Sequence, residues 1–147
     1  ELFGGALEGV LPKRLEDVSQ FRQVPDHQEV FADADTDQSF IFEINQYETD
    51  VSDSDAPKHF WKDYASFCDA REDRILSSGS LSAEQVPGVG FSRECTRLFV
   101  IGEMSVSKGR DGDDALNVIQ VYMAVFRLKK VKSDLLVIFN VPVALNP

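Results

Sequence analysis

The stretch from Asp17 to Phe31, DVSQFRQVPDHQEVF, gathers Asp17, Arg22, Asp26, His27, Gln28 and Glu29 between two apolar segments. Carboxylates, amides and a guanidinium at this density suit recognition of a charged partner. Pro25 fixes its own φ and pushes Val24 toward extended geometry, which stiffens the surface. A polar surface held in one shape is what partner recognition needs. The structural alternative is local. Asp17 with Gln20, or Asp26 with Glu29, can form a cap, and Arg22 can pair with a nearby carboxylate. Spacing alone leaves the two readings equal.

Other chemistry is less supported. His27 and His59 are the only histidines, and neither lies in a zinc-protease pattern; no GxSxG elbow exists. Cys68 falls on the apolar face of an expected helix, a poor place for a nucleophile. Asp33, Asp35 and Asp37 match the first three ligand positions of a calcium loop. Gln38 then replaces the turn glycine, and Ile44 stands where the closing Glu belongs, with Glu43 one place early. That is a solvated acidic turn. Asp111, Asp113 and Asp114 beside Gly109 and Gly112 read the same way, and Gly88-Val89-Gly90 has no phosphate-binding context. Arg127, Lys129, Lys130 and Lys132 read as charge on an exposed hairpin tip. No metal or cofactor is expected, and the chain does not read as an enzyme.

The 147 residues suit one domain with a sizeable core. Fifteen basic against 25 acidic residues give a net charge of −10, which repels phosphate backbones and acidic lipid surfaces. Nucleic acid and membrane are therefore not expected partners. No apolar run approaches the ~20 residues of a membrane span. Cys68 and Cys95, with no CxxC, read as reduced thiols and point weakly to cytosol or nucleus.

The elements that position these residues follow from periodicity. Gln28 to Ala32 and Ser39 to Glu48 read as strands joined by the polar turn DADTDQ. Residues 53 to about 69 read as a helix, with Phe60, Tyr64, Phe67 and Cys68 on one face and Pro57 in the first turn. Residues 74–90 hold a weak strand at best. Arg97 to Ser107, Asn117 to Leu128 and Leu135 to Val141 read as strands. The last two are apolar on both faces, as in a sheet covered on both sides. The short link Lys129 to Asp134 permits only an antiparallel pair. The expected fold is an α+β sandwich with a mainly antiparallel sheet. One helix cannot cover both faces. A further C-terminal helix is expected, or else the N-terminal stretch and residues 70–90 cover the second face.

Four segments then carry a resemblance: LFGGA at 2–6, DVSxxRxVPDxQEVF at 17–31, DxSxIxE at 37–43 and VYMAVFRLKKVKSDLLVIFNVP at 121–142. In this order they resemble the Ran guanine nucleotide release factors, the MOG nuclear-import proteins. GEMSVSKGR at 102–110 looks most like plant-type or algal members. The resemblance implies an α/β/α fold with a central antiparallel sheet, related to the PsbP proteins of photosystem II. It implies a monomer of the nucleus and cytoplasm that binds the GTPase Ran, promotes release of its nucleotide and supports nuclear protein import. Residues 1–147 would then be a single Ran-binding domain without the family's usual C-terminal helix. Ran recognition would fall on Asp17, Arg22, Asp26, Gln28 and Glu29, with Asp37 and Glu43. The alternative is a PsbP-like thylakoid-lumen protein of similar fold; the QEVF motif argues for the first branch.

Overall fold

The structure, a computed structural model, describes residues 1–86, 95–107 and 116–144. Gly88-Val89-Gly90 and the acidic residues Asp111, Asp113 and Asp114 lie outside the described residues. Among the described residues seven strands make one sheet: β1 (Glu16–Asp17), β2 (Gln28–Ala32), β3 (Ser39–Gln46), β4 (Glu72–Ser80), β5 (Thr96–Ser107), β6 (Leu116–Leu128) and β7 (Ser133–Ala144). Their order is β1-β2-β3-β7-β6-β5-β4, and every neighbouring pair is antiparallel. One α-helix among the described residues, α1 (Ala56–Phe67), lies on one face.

The helix is shorter than its apolar stripe suggests. Pro57 sits in the first turn, as Pro does where no amide donor is needed. Ser52 caps the approach: its Oγ accepts from the Asp55 N–H at 3.2 Å. Phe60, Trp61, Tyr64 and Ala65 are buried against Val100, Met104, Val121, Met123, Leu136 and Ile138. Each such large side chain contributes roughly 1.5–3 kcal/mol by leaving water. The two-residue period of β5, β6 and β7 delivers that apolar face. On the second face Phe40 stacks on Phe139 at 4.3 Å, beside Phe99, Ile101 and Tyr122. These rings border an open apolar groove of about 490 Å³, with Leu81 and Gln85 on its rim.

Residues 72–80 form a nine-residue edge strand where the sequence reads as weak β. β4 pairs only with β5, and its residues are almost all exposed, so no apolar alternation marks it. Its hold on the core is specific. Trp61 Nε1 donates to Asp73 Oδ2 at 2.7 Å, and the Trp61 ring lies over Gly102. A Cβ at position 102 would meet that ring and stand 2.5 Å from the Arg74 carbonyl oxygen.

Arg127 corrects the reading of an exposed basic tip. The tip itself is a 3-10 turn, Lys129–Val131, ending at Lys132 in a left-handed conformation (φ 52°). Arg127 lies one pair further in, opposite Asp134 on β7, with both side chains buried. Its Nε donates to Asp134 Oδ1 at 3.1 Å. Nη1 donates to the Val51 carbonyl at 2.6 Å and to Asp53 Oδ1 at 3.1 Å; Nη2 donates to the Glu48 carbonyl at 2.7 Å. The guanidinium also lies 4.3 Å from the Tyr47 ring centre. Asp134 Oδ2 accepts the Glu48 N–H at 3.0 Å. Every polar group of the buried pair has a partner, the condition under which burying charge is tolerated.

Two stability outcomes follow. Arg127→Met leaves Asp134 buried and unpaired, so it should cost about 3–5 kcal/mol in urea unfolding. Gly102→Ala should lower the midpoint by pushing Trp61 or β4 outward, with a loss of about 1–3 kcal/mol; amide exchange should then rise first along β4.

Candidate functional site

The β2–β3 register sets Gln28 opposite Glu43, and Ile44 N–H continues the ladder by donating to the His27 carbonyl at 2.9 Å. Strand alternation puts Gln28, Glu43 and Asn45 on the α1 side of the sheet. Gln28 Nε2 donates to Glu43 Oε1 at 2.7 Å, and Asn45 Nδ2 donates to Glu43 Oε2 at 3.0 Å. His27 Nε2 lies 3.4 Å from Oε1, an ion pair whenever the imidazole is charged. Glu43 thus has both oxygens engaged by neutral amides.

Glu43 faces a cleft of about 350 Å³ between β3 and α1. Asp63 and Glu48 add carboxylates to its wall, while Tyr64, Phe67 and Leu136 make it apolar below. Phe67 was expected in the core stripe; 64% exposed, it forms an open aromatic wall instead. The cleft is braced from beneath. Tyr64 Oη donates to Asn140 Oδ1 at 2.8 Å, and Asn140 Nδ2 donates to Ser39 Oγ at 3.0 Å. The chain of bonds links α1 to β3 across β7. Burial pushes the Tyr64 hydroxyl well above its ordinary pKa, and burial likewise raises the Cys68 thiol. Cys68 therefore stays a thiol, consistent with its apolar position.

The other expected site residues are dispersed. Asp26 and Arg22 are exposed on the 21–27 loop, whose Val24 packs, with Val18, on the α1-side core. Asp17 is a cap: its Oδ1 accepts the Ser19 N–H at 2.9 Å and starts a 3-10 turn, Val18–Gln20. Glu29 pairs in register with Phe42 and faces the second side of the sheet. There its Oε1 accepts the Phe3 N–H at 2.9 Å and ties down the N-terminal loop. Asp37 is exposed in the β2–β3 turn with φ 59°, at the opposite end of both strands from Gln28 and Glu43. In the same turn Asp33 accepts from Arg14, Thr36 and the Asp35 N–H. The Arg14 hydrogen bond, more than the other two, holds the Asp33 carboxyl below its usual range. Among the described residues no group of three or more His, Cys, Asp and Glu side chains is arranged to hold a metal. No described helix is long and apolar enough to cross a membrane.

So the structure joins Gln28 to Glu43, with His27 adjacent, and separates Asp17, Glu29 and Asp37 from them. Asn45, Asp63 and Phe67 were missed. Asn45 was legible as the next same-side residue after Glu43. Asp63 and Phe67 were not, because their approach to β3 depends on where α1 docks.

The chain is similar throughout to known proteins. A Ran guanine nucleotide release factor of Danio rerio is 38% identical over 99% of this chain and 79% of its own length. A nuclear import protein mog1 of Schizosaccharomyces pombe is 26% identical over 97% of this chain and 75% of its own. The crystal structure of the Saccharomyces cerevisiae Ran-binding protein Mog1p superposes with a TM-score of 0.73 at 22% identity, covering 98% of this chain and 76% of that one. That likeness shows the same fold, as the sandwich with a mainly antiparallel sheet requires. A family model described as the Ran-interacting Mog1 protein matches residues 1–142, and the chain belongs to that family.

Proposed function

We propose that this protein binds Ran and promotes release of its guanine nucleotide in support of nuclear import. The observation that carries the site is Glu43, an oriented carboxylate at the mouth of a cleft with two further acids and an aromatic wall. Such a cleft suits a lysine or arginine side chain. The aliphatic stem packs on Phe67 and the cationic head meets Glu43, Asp63 and Glu48. Asp26 and Arg22, on the loop covering the same side of the sheet, extend the contact surface. In this reading Asp17, Glu29 and Asp37 act on the interface by shaping the loops around it.

Nucleotide release needs no bond chemistry here. A GTPase holds its nucleotide with a lysine and Mg²⁺ around the phosphates. A partner that binds the nucleotide-free form better loosens the nucleotide by the same factor. About 3 kcal/mol of differential affinity shifts the equilibrium roughly 100-fold. The protein therefore acts as a monomeric binding factor of nucleus and cytoplasm, without cofactor or nucleic acid. Its net charge of −10 speeds encounter with a basic patch. A PsbP-like role in the thylakoid lumen is not favoured, because the family match runs through the four motifs that carry the Ran resemblance.

Glu43→Lys should weaken binding to nucleotide-free Ran about 100-fold, with a lowered melting temperature because the Gln28 and Asn45 amides lose their acceptor; binding within two-fold of wild type would remove the site from this cleft. Asp26→Lys combined with Glu29→Lys, tested on the same Ran forms, should have a smaller effect, about ten-fold. The association rate should also fall as salt rises from 50 to about 300 mM, measured by stopped flow.

A further inference from the structure

Gln28 is buried beside the candidate site, and its amide donates to Glu43. A side chain so enclosed has little surface to offer a partner. Asn45 donates to the other Glu43 oxygen from the next same-side position of β3. The two amides grip one carboxylate from both sides. We propose that Gln28 and Asn45 are positioning residues, which act on the partner only through Glu43. This rests on the reading of the Glu43 cleft as the Ran contact.

The choice of amides matters. A lysine or arginine in either place would hold Glu43 as firmly but neutralise it, and an incoming cation would find no net charge. A hydroxyl would be too short to span the two strands. Gln and Asn fix the rotamer and leave the negative charge intact. Each carboxylate oxygen has a further lone pair, so the partner's cation binds without displacing either amide. Asp63 shows the contrast. It lies 3.3 Å from His59 of its own helix, and two-thirds of its side chain is exposed. An incoming cation must order Asp63 but finds Glu43 already ordered, and preorganisation of this kind raises affinity without adding a contact. The clamp also joins β2 to β3 through side chains at the one register pair next to the cleft.

A double-mutant cycle separates action through Glu43 from direct contact. Gln28→Met keeps the buried volume and removes the donor; Asn45→Ala removes the second. Glu43→Gln removes the charge with little change of shape. Affinity for nucleotide-free Ran is measured by calorimetry, and folding by thermal melting. The Gln28→Met, Asn45→Ala pair should weaken binding about ten-fold in the wild-type background and less than two-fold in Glu43→Gln. If the pair costs the same factor in both backgrounds, the two amides contact Ran directly and the positioning role is overturned. If Glu43→Gln binds like wild type, the cleft reading and the positioning role fall together. Failure of the wild-type protein to bind any form of Ran overturns the functional reading itself. Should Gln28→Met unfold the protein, Asn45→Ala alone carries the same cycle, with about three-fold expected in the wild-type background.

Discussion

The buried pair of Arg127 and Asp134 is the constraint on which the site depends. The two residues face each other across β6 and β7, in the middle of the sheet. What they hold, however, is the chain between β3 and α1. Arg127 takes the carbonyls of Glu48 and Val51 and the carboxylate of Asp53; Asp134 takes the Glu48 amide. Asp53 also accepts from Thr96 Oγ1 at 3.1 Å, which draws the start of β5 into the same knot. One end of this segment is β3, carrying Glu43 and Asn45. The other is α1, carrying Asp63 and Phe67. The width of the cleft is thus set by a buried charge network that meets it only at Glu48. The geometry of the network is demanding. A guanidinium satisfies four acceptors in one plane, whereas a lysine has three donors on a single atom and could not span them.

Below that knot the sheet separates two tasks by parity. Residues of β2 alternate between the α1 side, with Gln28 and Val30, and the second side, with Glu29 and Phe31. Adjacent acidic-looking residues in the QEVF run therefore do unrelated things. Gln28 steadies the candidate contact, and Glu29 anchors the N-terminal loop by accepting the Phe3 amide. The LFGGA segment and the QEVF segment belong together for this reason. Gly4 takes φ 67° in the turn that carries Phe3 back to Glu29, a conformation that favours glycine.

This parity explains how far the sequence was legible. Strands β2, β3, β5, β6 and β7 announce themselves by apolar alternation or, in β6 and β7, by runs apolar on both faces. The helix shows its stripe in the same way. β4 does not, because an edge strand exposed on most of its length is under no demand for alternation; only Trp61 and Gly102, distant in sequence, reveal why it stays. Arg127 was misread because it neighbours three lysines that do sit on the tip. The distinguishing partner, Asp134, lies across a turn whose register cannot be counted until the 3-10 segment is known. The site was half legible. The motifs lie on the β2–β3 pair that lines the candidate cleft, and Glu43 was among the residues taken from them. Which members of the motif share a face was not visible until the Gln28–Glu43 register was known.

A contact site built in this way differs from one made of loop charges. Of the side chains gathered at the cleft, Glu43, Gln28 and Asn45 stand on paired strands, and Tyr64 is bolted to β7 through Asn140. Asp63 and Phe67, on the outward side of α1, and the exposed Glu48 remain open to adjustment. In the proposed reading the partner meets a fixed negative centre and an aromatic-acidic wall. A release factor benefits from that division. Rigid charge makes the binding energy available at first contact, while a wall that yields lets the partner change shape without leaving. A site rigid throughout would favour one partner conformation, and one soft throughout would distinguish none. For a protein that must bind its GTPase through loss of nucleotide, the useful property is differential affinity between states, not the total.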